Sequence, residues 1–286
     1  MVSWSFPADR VDGGGATAPT GYPVEGASPG TAPAPHATVT SDRRKGWLMT
    51  ALGLLHTGHS AEDDFPRIEQ LLGSDVRVDL VRVEPDPHAA DPVGRLGAPD
   101  ALAGATEQLR LSGAEAVVWA ATGGSFAYGW EGAQAQVGAL ARTAGLPASS
   151  TSVAFAHAVR ELDAGRVAVA APYSPEETAR FADFLTAGGV RVVVTHAAGA
   201  PPATAWDEAE LLALVRAADH ADAQAVLVPG TSLSTAAHIA ALEKNLGKPV
   251  LTANQVTVWQ ALRLADRRVN APALGALFTR EPVVQV

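Results

Sequence analysis

The run Ala114-Glu115-Ala116-Val117-Val118-Trp119-Ala120-Ala121-Thr122-Gly123-Gly124-Ser125 decides how the rest of the chain is read. A short, unbroken apolar run is the pattern of a strand buried on both faces, and the Thr-Gly-Gly-Ser that ends it suits a turn directly into a helix. The run has an echo. Ala223-Gln224-Ala225-Val226-Leu227 repeats its beginning and leads into Gly230-Thr231-Ser232. Gly73-Ser74-Asp75-Val76-Arg77-Val78 is repeated in Gly188-Gly189-Val190-Arg191-Val192. Gly145-Leu146-Pro147 is repeated in Gly247-Lys248-Pro249, and the helices that follow carry Ala158-Val159-Arg160 and Ala261-Leu262-Arg263. Any two βα runs look somewhat alike, but three matches in one order, each offset by roughly a hundred residues, point to an internal duplication.

Working outward, strands are expected at 47–55, 76–83, 115–121, 166–171, 190–195 and 223–229, with shorter ones near 147–150 and 249–252. Helical periodicity falls near 61–72, 99–112, 131–144, 153–162, 175–187, 207–219, 234–246 and 255–265. Strands alternating with helices predict an α/β fold with parallel sheets. The expectation is two pseudo-symmetric lobes, each a short parallel sheet flanked by helices, with a cleft between them. The lobes span 45–163 and 164–286, with strand or helix exchange near 145–163 and 247–268. Residues 1–44, with Gly13-Gly14-Gly15 and Ala32-Pro33-Ala34-Pro35, read as a disordered Pro/Gly/Ala-rich tail.

Composition narrows the function classes. The 286 residues are 47% hydrophobic and 18% charged, so a substantial core is available. The net charge of −9 and the lack of a basic stripe argue against nucleic acid. With no cysteine, disulfides, Cys-ligated zinc, iron–sulfur clusters and thiol nucleophiles are all excluded. The apolar run 47–55 follows Arg43-Arg44-Lys45, as a signal peptide's would. It is too short to span a bilayer and reads as a buried first strand. A cytoplasmic protein without membrane association is expected.

Open α/β sheets bind ligands where strands end. Thr122, Gly123, Gly124 and Ser125 follow the third strand; Gly230, Thr231 and Ser232 follow its repeat partner. Glycines admit a close ligand, leading helix amides favour an anion, and hydroxyls add donors. The same residues also serve simply as helix caps. Two such loops at equivalent places in two lobes favour a carboxylate-binding cleft. The first strand ends in His56-Thr57-Gly58-His59-Ser60, its partner in Pro172-Tyr173-Ser174-Pro175-Glu176. Ser60 and Ser174 suit N-caps, with Asp63 and Glu177 completing capping boxes. Asp63-Asp64 reads as a favourable charge pair at a helix start. Tyr173, His56 and His59 are candidate proton carriers. Two histidines without a third ligand do not make a metal site, so no metal is expected. His157, His220 and His238 read as surface or packing residues on helices, and His196 as a secondary cleft residue. Trp119, Phe126, Tyr128 and Trp130 suit either a pocket lining or lobe packing. Dinucleotide, Walker, GxSxG and HExxH motifs are absent from the sequence.

Gly53-Leu54-Leu55-His56-Thr57 followed by Glu62-Asp63-Asp64-Phe65 resembles the opening of maleate isomerases and ectoine-utilisation-type proteins. Ala121-Thr122-Gly123-Gly124-Ser125-Phe126 resembles their first active-site loop and that of arylmalonate decarboxylases. Thr151-Ser152, Pro172-Tyr173, Gly230-Thr231-Ser232, Ala253-Asn254-Gln255 and the run Trp259 to Leu264 are similar as well. The resemblance spans roughly 46–268 and places the chain with the aspartate/glutamate racemase superfamily. It implies two pseudo-symmetric α/β lobes, a small carboxylate substrate, no cofactor and a possible homo-oligomer. It also implies substrate-binding roles for Thr57, Thr122, Gly123, Gly124, Ser125, Thr151, Gly230, Thr231, Ser232 and Asn254. Racemases and isomerases of this group use two cysteines, and the decarboxylases keep the second. Here those positions are Ala121 and Gly230, which excludes a two-cysteine mechanism. The expectation is an isomerase- or lyase-type enzyme working without a thiol, the alternative a non-catalytic carboxylate-binding or regulatory descendant. A metal-assisted enzyme using His56 and His59 ranks last.

Overall fold

The computed structural model describes residues 49–58, 61–73, 75–84, 97–199 and 206–279. The tail expected at 1–44 lies outside them, as do His59 and Ser60.

Among the described residues, eight strands form two four-stranded parallel sheets. The first contains β1 (Thr50–His56), β2 (Val76–Arg82), β3 (Ala116–Ala120) and β4 (Ala148–Ser150), in the order β2-β1-β3-β4. The second contains β5 (Arg166–Ala171), β6 (Arg191–Ala197), β7 (Ala225–Val228) and β8 (Val250–Thr252), in the order β6-β5-β7-β8. Adding four to each strand number turns one order into the other, which is the duplication seen in the sequence. The central strands β1, β3, β5 and β7 are Val-, Leu- and Ala-rich and, apart from the entry residue Arg166, wholly buried, as strands covered on both faces must be. The edge strands β2 and β6 are only half-buried.

Nine helices connect these strands among the described residues. In the first half they are α1 (Asp64–Leu72), α2 (Pro99–Leu111), the single turn α3 (Gly123–Phe126), α4 (Gly129–Ala144) and α5 (Thr151–Glu161). In the second they are α6 (Pro175–Ala187), α7 (Glu208–Ala217), α8 (Ile239–Leu246) and α9 (Ala253–Leu264). Two 3-10 turns, Pro272–Leu274 and Ala276–Phe278, follow α9.

Alternating side chains sort the core into three parts. Leu52, Leu54, Val118 and Ala120 of the first sheet join Val167, Val169, Ala225 and Leu227 of the second, with α1, α5, α6 and α9, in one cluster common to both sheets. The intervening residues Leu55, Val117 and Trp119 pack outward against α2 and α4. Ala168, Ala170, Val226 and Val228 pack outward against α7 and α8. Helix α9 follows a strand of the second sheet yet packs on β1, β3 and β4 of the first, and along α5. No helix among the described residues is long and apolar enough to cross a membrane.

Three sequence expectations are corrected. Helix α1 starts at Asp64, not near 61, and its N-cap is Asp63 without a side-chain cap bond, so no Ser60–Asp63 box opens it. Helix α8 starts at Ile239, five residues beyond the expected 234. His220 lies in the turn after α7, and His238 caps α8 from outside it.

Candidate active site

The C-terminal ends of β1, β3, β5 and β7 deliver four loops to one region between the sheets. Each is placed by local chemistry. Ser174 accepts a hydrogen bond from the Glu177 amide, and Glu177 reaches back to the Ser174 amide, the capping box the sequence predicts. With Pro175 opening α6, the box fixes the chain direction one residue after Tyr173. In the third-strand loop, Gln136 of α4 acts as a bolt. Its Nε2 donates to the carbonyls of Gly124 (2.8 Å) and Gly97 (2.5 Å), and its Oε1 accepts from the Ser125 hydroxyl (2.7 Å). Trp119 Nε1 also donates to the Gly124 carbonyl. A side chain at Gly124 would strike the Trp119 indole, so glycine is required for this close approach.

The loops meet across the interface. The Tyr173 hydroxyl hydrogen-bonds with the Thr122 side chain, and Thr122 Oγ1 accepts the Gly230 amide at 3.4 Å. The Ala61 amide donates to the Thr231 carbonyl at 2.7 Å. Asp64, buried, accepts from the Thr235 amide (3.0 Å), the Ala236 amide (2.9 Å) and Asn254 Nδ2 (2.9 Å). Thr122, Gly230 and Thr231 are buried, whereas Gly123 is exposed and Thr57, Gly124, Tyr173 and Ser232 are partly exposed. Buried and partly exposed polar groups thus lie side by side. Gly123 and Gly124 lead α3, ahead of its first internal hydrogen bond.

Burial pushes the Tyr173 hydroxyl well above the ordinary tyrosine range, against an opposing hydrogen bond from Thr122. At neutral pH it is a protonated donor. His56 is buried, with Nδ1 3.0 Å from the Thr57 carbonyl and 3.5 Å from the Glu62 carboxylate. A carbonyl only accepts, so this contact requires a hydrogen on Nδ1. His59 lies outside the described residues.

Other expected site residues have internal partners. The Ser125 hydroxyl serves Gln136. Thr151 Oγ1 pairs with Thr257 Oγ1 at 2.6 Å in the α5–α9 seam. Asn254 Nδ2 faces Asp64 and the carbonyls of Thr231 and Leu233. The Ala121 methyl packs into the outer cluster with Leu55 and Trp119, and Gly230 has no side chain, so neither presents a reactive group. Trp119 is fully buried, Phe126 packs on Tyr173 and Phe181, and Trp130 packs on Phe184, which is the packing reading of these aromatics; Tyr128 is exposed. Among the described residues no cluster of three or more potential ligands could hold a metal ion.

Sequence reasoning missed Asp64 and Gln136 as architects of the site. The partners of Asp64 lie 171 to 190 residues away, beyond any local pattern. Gln136 sits mid-helix, and its only sequence signal is a polar residue on an otherwise buried face.

Residues 96–278 match the model of the arylmalonate decarboxylase family. The chain belongs to that family. It is 32% identical over 177 residues to arylmalonate decarboxylase of Bordetella bronchiseptica, covering 60% of this chain and 74% of that one. Maleate isomerase of Geobacillus stearothermophilus is 26% identical over 137 residues, covering 46% and 55%. A crystal structure of arylmalonate decarboxylase superposes with a TM-score of 0.69 at 24% identity, covering 81% of this chain and all of that one. A maleate cis-trans isomerase of Nocardia farcinica, solved as a cysteine-to-serine mutant with a covalently bound succinylcysteine intermediate, superposes at 0.70 with 18% identity, covering 82% and 99%. The two-lobed α/β fold is thus that of the decarboxylase and isomerase structures. This chain contains no cysteine.

Proposed function

We propose that this protein is a thiol-free decarboxylase of substituted malonates. The carrying observation is the bridge from Tyr173 through Thr122 to the Gly230 amide, which joins loops of both lobes in a chain without cysteine. The two chemistries represented among its relatives make different demands. Cis-trans isomerisation of a double bond requires addition of a nucleophile so that the resulting single bond can rotate. The succinylcysteine in the Nocardia enzyme is such an adduct. Without a thiol, these loops offer that route only hydroxyls, far weaker nucleophiles toward a double bond than a thiolate. Decarboxylation needs none. The bond from the α-carbon to one carboxylate breaks, its electron pair moves into the remaining carboxylate, and carbon dioxide leaves. The enediolate then takes one proton at carbon to give the monoacid.

Both remaining tasks suit this site. Thr122, the amides of Gly123 and Gly124, and Thr231 and Ser232 are donors for the retained carboxylate, whose charge grows as carbon dioxide leaves. Preorganised donors of this kind are a large part of catalysis. Thr57 flanks them from β1. Tyr173 protonates the carbon, and its phenolate regains a proton from solvent when the product leaves. It is favoured over His56 because it belongs to the interlobe bridge, whereas His56 Nδ1 is turned to Thr57 and Glu62. The test is proton NMR in D2O with aryl- and alkylmalonates and maleate. A monoacid carrying one deuterium at the α-carbon supports the reading. Conversion of maleate to fumarate, or malonates unchanged throughout, overturns it.

A further inference from the structure

We propose that Asp64 is a positioning residue that sets how far the second-lobe loop 230–236 reaches toward Thr122. This rests on the decarboxylase reading of the site. Asp64 is the first residue of α1, in the first lobe, and is 3% exposed. Every close donor it has belongs to the second lobe. Its Oδ1 takes the Ala236 amide and its Oδ2 the Thr235 amide, so the two oxygens grip two successive peptide groups. Asn254 Nδ2 adds a third bond to Oδ2. The same amide also faces the carbonyls of Thr231 and Leu233. The loop carrying Gly230, Thr231 and Ser232 is therefore tied to the first lobe at three places. One is the 3.4 Å contact of the Gly230 amide with Thr122, at the long limit of a hydrogen bond. The second is the 2.7 Å bond from the Ala61 amide to the Thr231 carbonyl. The third is the grip of Asp64 on 235–236. The two short ties, both at the entry to α1, set the position of the weak one.

The grip falls just ahead of α8. The amides of Thr235 and Ala236 are held by a carboxylate of the other lobe, 231–238 is non-helical, and the helix itself starts at Ile239. A carboxylate is the group suited to the task. Asparagine has the same shape but offers one acceptor and one donor, and its NH2 must confront an amide hydrogen or the NH2 of Asn254.

The test is Asp64→Asn in the full chain, with two readouts taken well below its melting temperature. In steady-state turnover of an arylmalonate, kcat should fall by at least about tenfold with a much smaller change in KM, because the loop's position matters most as charge develops. In amide hydrogen exchange, 230–236 should speed up by at least about tenfold while α2 and α4 keep their protection. Unchanged kcat, or exchange that is unchanged or accelerated uniformly, overturns the proposal and leaves Asp64 a structural residue. If the unmutated protein turns over no malonate, the decarboxylase reading has failed on its own. The exchange pattern then decides whether Asp64 holds the loop. Should Asp64→Asn not fold, Asn254→Ala removes one of the four donors to Asp64, the fourth being the Thr235 hydroxyl at 3.4 Å, and the same localised exchange and kcat loss are expected on a smaller scale.

Discussion

A single hydroxyl concentrates the chemical argument. Tyr173 packs its ring 6.0 Å from Phe126 and hydrogen-bonds with Thr122. Tyr173→Phe keeps the ring and removes the proton, so kcat for malonate decarboxylation should fall by about 10²–10⁴-fold, the usual contribution of a positioned acid. An unchanged kcat, measured by carbon dioxide release, would move the proton donor elsewhere. The pH dependence has a definite sign. Burial raises the folded-state value above that of the unfolded phenol, near 10. The native state then holds this proton more tightly, so the stability contribution is complete below about pH 10 and is lost above it. Thermal melts should show the wild type losing more stability than Tyr173→Phe as the pH rises past 10. Gly230 makes a second residue-level case. Its φ is +112°, and a Cβ there would lie 3.0 Å from Pro172 Cγ. Gly230→Cys, the direct way to reintroduce a thiol, should therefore cost about 1–3 kcal/mol. At roughly 2–4 °C per kcal/mol, a drop in melting temperature of several degrees is expected. A melting temperature equal to the wild type would show that the loop relaxes freely.

At the scale of elements, the sequence is legible wherever the determinant is local. All eight strands fall where the sequence places them, although β4 is only Ala148-Ser149-Ser150, and the Ser174–Glu177 box is visible as a spacing of three. Even the last helix, α9, is found, although it packs on the other lobe's sheet. What local pattern cannot show is a bond to a distant partner. The segment 234–238 continues the periodicity of α8 yet lies in turns ahead of it, where the amides of 235 and 236 bond Asp64, and the turn α3 is missed because a Gly-Gly pair carries no helical periodicity. The candidate loops are legible from their small polar residues, but the internal partners of Ser125, Thr151 and Asn254 are not. The α5–α9 seam yields a prediction of its own. His157 of α5 bonds Gln260 of α9, and burial lowers its pKa, aided by Arg160 and Arg263 and opposed by the Gln260 bond. A base whose folded value is lowered stabilises the protein above its unfolded pKa, near 6.5, and that stability is lost as pH falls. His157→Gln should flatten the decline in melting temperature between pH 7 and about pH 5; an unchanged slope would place the acid sensitivity elsewhere.

At the scale of the whole molecule, duplication explains why the site lies where it does. Two sheets of identical strand order share one apolar cluster, so equivalent strand ends face one another and their loops converge. The side chains at 121 and 230 make no bond that this convergence needs, because the loops are held by Gln136, the Ser174 box and Asp64. Binding and catalysis are therefore separable in this architecture. An unreactive malonate analogue, with the departing carboxylate replaced by a phosphonate, should bind between the lobes and tighten contacts that the free protein makes only at 3.4 Å. At a concentration about 100 times its Kd, such a ligand adds about 2.7 kcal/mol to stability. The melting temperature should then rise by roughly 5–10 °C at 2–4 °C per kcal/mol. Thr122→Val removes the hydroxyl that both Tyr173 and the Gly230 amide contact, and it should abolish most of that shift while the unliganded protein stays folded. A full shift in Thr122→Val would mean that the ligand is held somewhere other than the seam between the two lobes.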